Sequence, residues 1–425
     1  MIFSDLEFLF LYLPAALAIY YITPRKFKNI SLLLASLVFF AWSSPVYLIL
    51  MVFTVMINYI FGLCISKSNA KTAGIFLAAA VFLNLSFLIF FRYAGFFIKS
   101  PNIYPPLGMS FYTLQSISYI FDIYNGGAKP QKNIAALGAY IAMFPKLAAG
   151  PIVKYFDIEA QLSHRKESVP MFACGVRTFI CGLCKKVFFA DTAGAVFTYI
   201  KALPEGDITV FGAWFGLVLF GIYIYFELSG YSDMAIGLGK MFGFEFPENF
   251  NYPYASKSVL EFFQKWHISL FDWFRQYVYA LCKNKKGLRR YVTMAVLCFL
   301  IGFWHGAYLN YIILGAYFGI VLILEKRFVS DILKKVPGFI GHIYSLAAVL
   351  FGCLIFAFED MQKGFSYLGK LFGFSVSGFI DGGAVYDLLR YLPFLILAVF
   401  GCTPLPKRLY NKFRCFRRTD KCQTK

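Results

Sequence analysis

Residues 291–324 read YVTMAVLCFLIGFWHGAYLNYIILGAYFGIVLIL. From 291 to 304 there is no charged side chain, and the run closes on a single imidazole, His305. A hydrocarbon layer about 30 Å thick is crossed by roughly 17–25 mostly apolar helical residues, at about 1.5 Å each. The stretch therefore reads as two spans, 291–305 and 308–324. Water would not tolerate this density of exposed apolar surface.

Working outward, comparable runs occupy 3–22, 30–42 with 45–65, 73–91, 134–153, 172–199, 208–228, 339–357 and 387–402. Segments 107–123 and 232–244 are apolar but short, and read as re-entrant or buried. The expectation is about ten to twelve spans. The first stretch lacks a basic leader and a small-residue cleavage site, so it reads as a retained span. Composition agrees: 59% of the 425 residues are hydrophobic, 15% are charged, and mean hydropathy is +0.64. A soluble chain is about half apolar and a quarter charged. The runs are continuously apolar, whereas barrel strands alternate, and lipid leaves only helices or closed barrels as spanning structures. The fold class expected is an all-α polytopic membrane protein. Residues 1–405 form its transmembrane domain, and 406–425 form a basic tail.

The net charge of +19 does not point to nucleic acid, because the basic residues sit in short loops between spans. They gather at Arg25, Lys26 and Lys28, at 283–290, and in the tail from Lys407 to Lys425. Lys and Arg concentrate on the cytoplasmic side of membrane proteins. That places those loops and the C-terminus inside and the N-terminus outside, with the lipid bilayer as partner of the charges. The ten cysteines are scattered. Cys181 and Cys184 form a CxxC within a candidate span, read as buried and reduced rather than as a redox or metal pair.

Polar residues that cannot reach water mark function in a membrane domain, and here they crowd into 227–305. Glu227, Ser229, Ser232 and Asp233 come first. Glu245, Glu248, Asn249 and Asn251 then surround Pro247 and Pro253, where regular helix is excluded. The segment 258–281 reads as one amphipathic helix. Glu261, Lys265, Asp272, Arg275 and Gln276 share a face, and Trp266, Leu270, Trp273 and Tyr277 share the opposite one. His267 falls on neither stripe. Counted from the basic loop as two upright helices, His267 and His305 lie at the same depth, about 22–24 Å in. Two imidazoles in one shielded layer suit acyl transfer to a hydroxyl, which needs a base for the alcohol proton. A single membrane histidine is otherwise a hydrogen-bonded packing residue.

Six ordered motifs then make the chain recognisable: PLGMSFYTLQSISYIFDIY (106–124), FPKLAAGPIVKY (144–155), SGYSDMAIG (229–237), PENFNYPY (247–254), KWHISLFDWFRQYVY (265–279) and FWHGA (303–307). Together they resemble the membrane-bound O-acyltransferase family, in its bacterial branch concerned with alginate and peptidoglycan O-acetylation. The resemblance runs from IFSDLEFLF to about residue 370. It implies a helical fold around a funnel or tunnel, with His305 matching the family's catalytic histidine and His267 its second conserved polar position. It also implies an acyl group taken from a cytoplasmic thioester, acetyl-CoA as co-substrate and no bound cofactor. That group would go outward, often to a secreted or anchored transferase acting on envelope glycan.

The chain departs from the branch at Glu227, Phe271, Asp272, Gln276, at 280–284 and at FAFED, 356–360. The function expected is O-acylation of a cell-surface polysaccharide from a bacterial plasma membrane. Trp304, Trp266, Asp233 and Asn249 are expected along the substrate channel, and no metal site is expected. The rival readings are a transporter or channel using the same buried polar groups, and a catalytically silent envelope scaffold.

Overall fold

In the computed structural model the chain is built of helices, with no strand among the described residues. Those residues are 1–98, 105–204, 206–279, 287–306, 308–409 and 412. Residues 283–286 of the basic loop at 283–290, the departure at 280–284 and most of the basic tail lie outside them. In chain order come α1 (Leu13–Ile22), α2 (Lys28–Ser43), α3 (Leu48–Lys67), α4 (Ala70–Ile98), α5 (Met109–Tyr124), α6 (Ile134–Ala142) and α7 (Phe144–Leu147). Next are α8 (Tyr155–Ser163), α9 (Val169–Cys184), α10 (Asp191–Lys201), α11 (Val210–Met241), α12 (Val259–Lys265) and α13 (Ile268–Tyr277). The last are α14 (Leu288–His305), α15 (Leu309–Leu324), α16 (Ser330–Leu333), α17 (Gly338–Ala357), α18 (Met361–Leu371) and α19 (Gly382–Gly401). Five described helical stretches are long and apolar enough to cross a membrane unaided: Pro45–Lys67, Ala70–Tyr93, Val210–Met241, Gly338–Ala357 and Gly382–Gly401. The chain is an all-α polytopic membrane protein.

Three expectations about element boundaries are corrected. The apolar run 134–153 is not one span but α6, α7 and an irregular stretch, with Pro145 opening α7 and Pro151 beyond it. Ala136 to Leu147 are all buried. Non-helical backbone at membrane depth survives only inside protein, so this run is apolar because it is core. The pieces 208–228 and 232–244 are one helix, α11, about 48 Å long. The supposed single helix 258–281 is α12 and α13 with a break between them.

The axial element is α11, whose buried side chains enter two hydrophobic clusters. One gathers α1 to α8, and the other gathers α10, α17, α18 and α19. Its contact with α9 is glycine against glycine. A methyl at Gly182 would lie 2.6 Å from the Gly230 carbonyl oxygen, and one at Gly175 would lie 2.7 Å from that of Gly237. Small residues let backbones approach where lipid gives no hydrophobic drive for association. The close approach has a polar consequence. Lys185 and Lys186, at the π-helical turn joining α9 to α10, reach carboxylates on α11, with Lys185 Nζ 2.6 Å from Asp233 and Lys186 Nζ 2.8 Å from Glu227.

At one end of the bundle the loops 23–28, 164–168 and 242–246 are tied together. Glu167 accepts from Lys28 and from the Tyr20 hydroxyl (2.7 Å), and Arg165 stacks over Phe244. Burial works against ionising Glu167. The hydrogen bonds from Lys28 and Tyr20 and the charges of Lys28 and Arg165 outweigh it, and hold the carboxyl below its ordinary range. A depressed carboxyl contributes stability above its unfolded value, and this is lost as pH falls below it. At the opposite end, Val210 N–H donates to the Gly378 carbonyl and Phe211 N–H to that of Phe379, joining the start of α11 to the loop before α19.

Two outcomes follow. Gly182→Leu should destabilise the detergent-solubilised protein by about 1–3 kcal/mol through overpacking, read as a lowered melting temperature; an unchanged melt would contradict the α9–α11 contact. Glu167→Gln should melt lower at neutral pH and lack the extra loss that wild type shows below about pH 4.5; parallel curves would contradict the latch.

Candidate active site

The break between α12 and α13 is the local feature on which the site is built. His267 occupies it with φ 47° and ψ 48°, in the left-handed region. That conformation costs an L-residue about 1–2 kcal/mol, so something must hold it. Asn249, from the Pro-flanked loop, does so. Its backbone carbonyl accepts from Ile268 N–H (2.9 Å), and its side-chain oxygen accepts from Ser269 N–H (3.1 Å) and Ser269 Oγ (2.8 Å). Ser269 Oγ in turn accepts from Ile152 N–H at 2.9 Å, in the irregular stretch after α7. The opening N–H groups of α13 would otherwise be orphaned in the core. Farther along α13, Trp273 donates to the Leu114 carbonyl (3.0 Å) and Tyr277 to Asp122 (2.6 Å), pinning the helix to α5.

His305 is the last residue of α14, where carbonyls lose their intrahelical partners. Helix α4 supplies replacements. The Tyr93 hydroxyl donates to the Phe303 carbonyl with the two rings stacked 4.2 Å apart, and Arg92 donates to the His305 carbonyl. A second guanidinium N–H of Arg92 reaches Ser110 Oγ at 3.0 Å, at the head of α5. A cation at a helix C-terminus is also favoured by the helix dipole. On its other side α14 meets α15 through Gly302 and Gly315; a methyl at Gly302 would lie 2.4 Å from the Tyr311 carbonyl oxygen.

The two constructions open into one cavity of about 330 Å³, lined by His267, His305, Trp266 and Trp304 together. The Trp304 indole neighbours both imidazoles, 5.1 Å from the His305 ring and 6.1 Å from that of His267, nearly perpendicular to the latter. Phe356 meets His305 edge-on at 5.7 Å, and Phe250 lies 5.9 Å from His267. Nearly all the rest of the lining is apolar. Among the described residues it holds one charged side chain, Arg92, and no carboxylate. Three buried nitrogens around it lack partners: His267 Nδ1, Trp304 Nε1 and Arg92 Nε. Such a group costs about 1–3 kcal/mol when left unpaired. Three of them around one apolar cavity are suited to a small polar guest, such as a carbonyl or a hydroxyl.

Of the residues expected here, His305, His267, Trp304 and Trp266 are brought together, and Asp233 and Asn249 are not among the lining. Asp233 faces α9 and is paired with Lys185. Asn249 is 2% exposed and acts on the backbone that carries His267. No single straight helix runs over 258–281, so depth counted along one does not place His267; the rings share a cavity with the helix broken at His267. Arg92 was passed over in the sequence, though the one charge near the end of a long apolar run is detectable as such; Ser110 and Phe356 lie in stretches the sequence singled out, but nothing there marked them as part of the site. The departures are accommodated: Phe271 and Phe356 line the cavity, Asp272 pairs with Arg275 (2.8 Å), Gln276 accepts from Lys154 (2.7 Å) and Glu227 pairs with Lys186.

A helical membrane protein with a histidine-lined internal cavity is the class this geometry defines. Residues 131–368 match the membrane-bound O-acyltransferase family, and the chain belongs to it. It is thus a membrane enzyme that transfers acyl groups. It is 36% identical to a probable alginate O-acetylase from Pseudomonas aeruginosa, over 97% of this chain and 83% of the relative. It is 30% identical to a peptidoglycan O-acetyltransferase from Helicobacter pylori, over 77% and 71%. A teichoic acid D-alanyltransferase from Bacillus subtilis matches at 28%, over 52% and 59%.

Asn249→Ala should strand the Ser269 N–H and hydroxyl, costing about 1–3 kcal/mol, and lower acyl transfer at least tenfold by releasing His267. Asn249→Asp, which keeps the acceptor, should restore most of the rate in purified protein. Equal loss in both variants would contradict a positioning role.

Proposed function

We propose that the protein moves an acetyl or similarly short acyl group from a cytoplasmic thioester, acetyl-CoA, toward a hydroxyl of a cell-surface polysaccharide. The transfer is direct or passes through a secreted or anchored transferase. The observation that carries this reading is the sharing of one shielded cavity by His267 and His305. The names of the relatives support the chemistry, since one is a probable alginate O-acetylase and another a peptidoglycan O-acetyltransferase.

In the proposed reaction the acceptor oxygen attacks the thioester carbonyl carbon while His305 takes the hydroxyl proton. The C–S bond then breaks, and the imidazolium returns a proton to the departing sulfur. The products are an ester and a free thiol. Negative charge develops on the carbonyl oxygen during attack, and N–H donors aimed at that position stabilise it strongly in a dry site. Arg92 Nε and Trp304 Nε1 are the unpartnered donors available. His267 assists, holding the acceptor or relaying its proton. The cavity has no carboxylate to orient either ring, so orientation comes from Trp304, Phe356 and Phe250 and from the backbone at residue 267. The proposed setting is the bacterial plasma membrane, with the N-terminus outside and the C-terminus in the cytoplasm, on the placement of basic residues.

Inverted vesicles holding the protein and its acceptor, given acetyl-CoA labelled in the acetyl group, should accumulate label on glycan or protein in the lumen. General acid–base groups contribute about 10²–10⁴-fold, so His305→Ala should abolish most transfer and His267→Ala should reduce it less. Undiminished transfer by a well-folded His305→Ala protein would refute the assignment.

A further inference from the structure

A second pocket, of about 760 Å³, runs along α10 from Lys186 to Leu203, between the middle of α11, the end of α17 and the amphipathic helix α18. It is separate from the histidine cavity and shares none of its lining residues except through neighbours on α11 and α17. Four lysines line it: Lys186, Lys201, Lys363 and Lys370. Lys186 is neutralised by Asp191 (2.6 Å) and Glu227 (2.8 Å). The other three enter no ion pair among the described residues. Lys201 donates to the Ala357 carbonyl (2.9 Å) and lies 4.4 Å from the centre of the Phe358 ring. Glu359 is the carboxylate whose field reaches Lys201, and Lys363 opposes it. Lys370 is 8% exposed and lines the pocket, and among the described residues it enters no ion pair. Lysine is a compact point charge suited to phosphate.

The walls of the pocket identify the anion further. Between Lys201, Lys363 and Lys370 at one end and the Lys186–Asp191–Glu227 cluster at the other, the walls carry Phe197, Phe220 and Tyr223, the last two about 15–20 Å down α11 from its start. Tyr199, Phe365 and Phe374 nearby are exposed. Three lysines without ion pairs, set beside an aromatic wall in a membrane protein, match an anionic headgroup with an acyl chain against that wall. We propose that this pocket holds an anionic phospholipid, its phosphate among Lys201, Lys363 and Lys370 and an acyl chain along Phe197 and Phe220.

Native mass spectrometry of the full-length protein, delipidated and offered phosphatidylglycerol, phosphatidylcholine or inorganic phosphate, tests this. The expected result is a one-to-one phosphatidylglycerol adduct retained at least tenfold better than phosphatidylcholine, and not displaced by phosphate alone. The double substitution Lys363→Gln with Lys370→Gln should remove that preference. Lys363→Arg with Lys370→Arg should keep it and so controls for folding, and Lys334→Gln with Lys335→Gln, at the other end of α17, should leave it unchanged. Equal retention of both lipids, or a preference that survives the double Gln change in folded protein, overturns the proposal. So does displacement of the lipid by inorganic phosphate or by a polyuronate oligomer, which would make the pocket a site for free anions or for glycan.

Discussion

Everything at the centre of this protein depends on the hydrogen bonds that Asn249 makes to the first residues of α13. In a membrane interior no water will satisfy a freed N–H group, so a helix can break only where the protein itself supplies acceptors. Asn249 supplies two, its backbone carbonyl and its side-chain oxygen, and Ser269 and Ile152 extend the chain of donors and acceptors behind it. The break they permit puts His267 in a left-handed conformation and its imidazole on the cavity wall. Without it, α12 and α13 would run on as one helix, and the ring would point where the helical repeat dictates.

The second half of the site obeys the same constraint. The helix carrying His305 ends inside the protein, and its last carbonyls are met by the Tyr93 hydroxyl and the Arg92 guanidinium. Two interrupted helices thus meet end to side, each stopped by polar groups from elsewhere in the chain. Around them the lining is apolar enough to exclude water, and a few nitrogens stay unpaired. The two rings are thus held by hydrogen-bonded helix ends, and electrostatic catalysis rests on groups set in place in this way.

Much of this was legible in the residues. Long apolar runs announced the membrane, and rarity alone made His267 and His305 conspicuous in a chain with four histidines. What hydropathy could not separate is lipid-facing from protein-facing apolar sequence. The run 134–153 looks like a span and is core, because burial in protein and burial in lipid select the same side chains. Nor does helical periodicity register a break whose cause lies 18 residues upstream in Asn249, since 267 − 249 = 18. Asp233 drew attention as a buried acid; its partner Lys185 is 48 residues away, and only the glycine-mediated approach of α9 and α11 brings the two together.

The most direct test of the central claim is a cryo-electron microscopy structure of the protein with a non-transferable acetyl-CoA analogue whose sulfur is replaced. The analogue's carbonyl should appear in the cavity between the His267 and His305 rings, with its oxygen near Arg92 Nε and Trp304 Nε1. Density for the acyl end elsewhere, with the cavity still closed around its two imidazoles, would contradict the account.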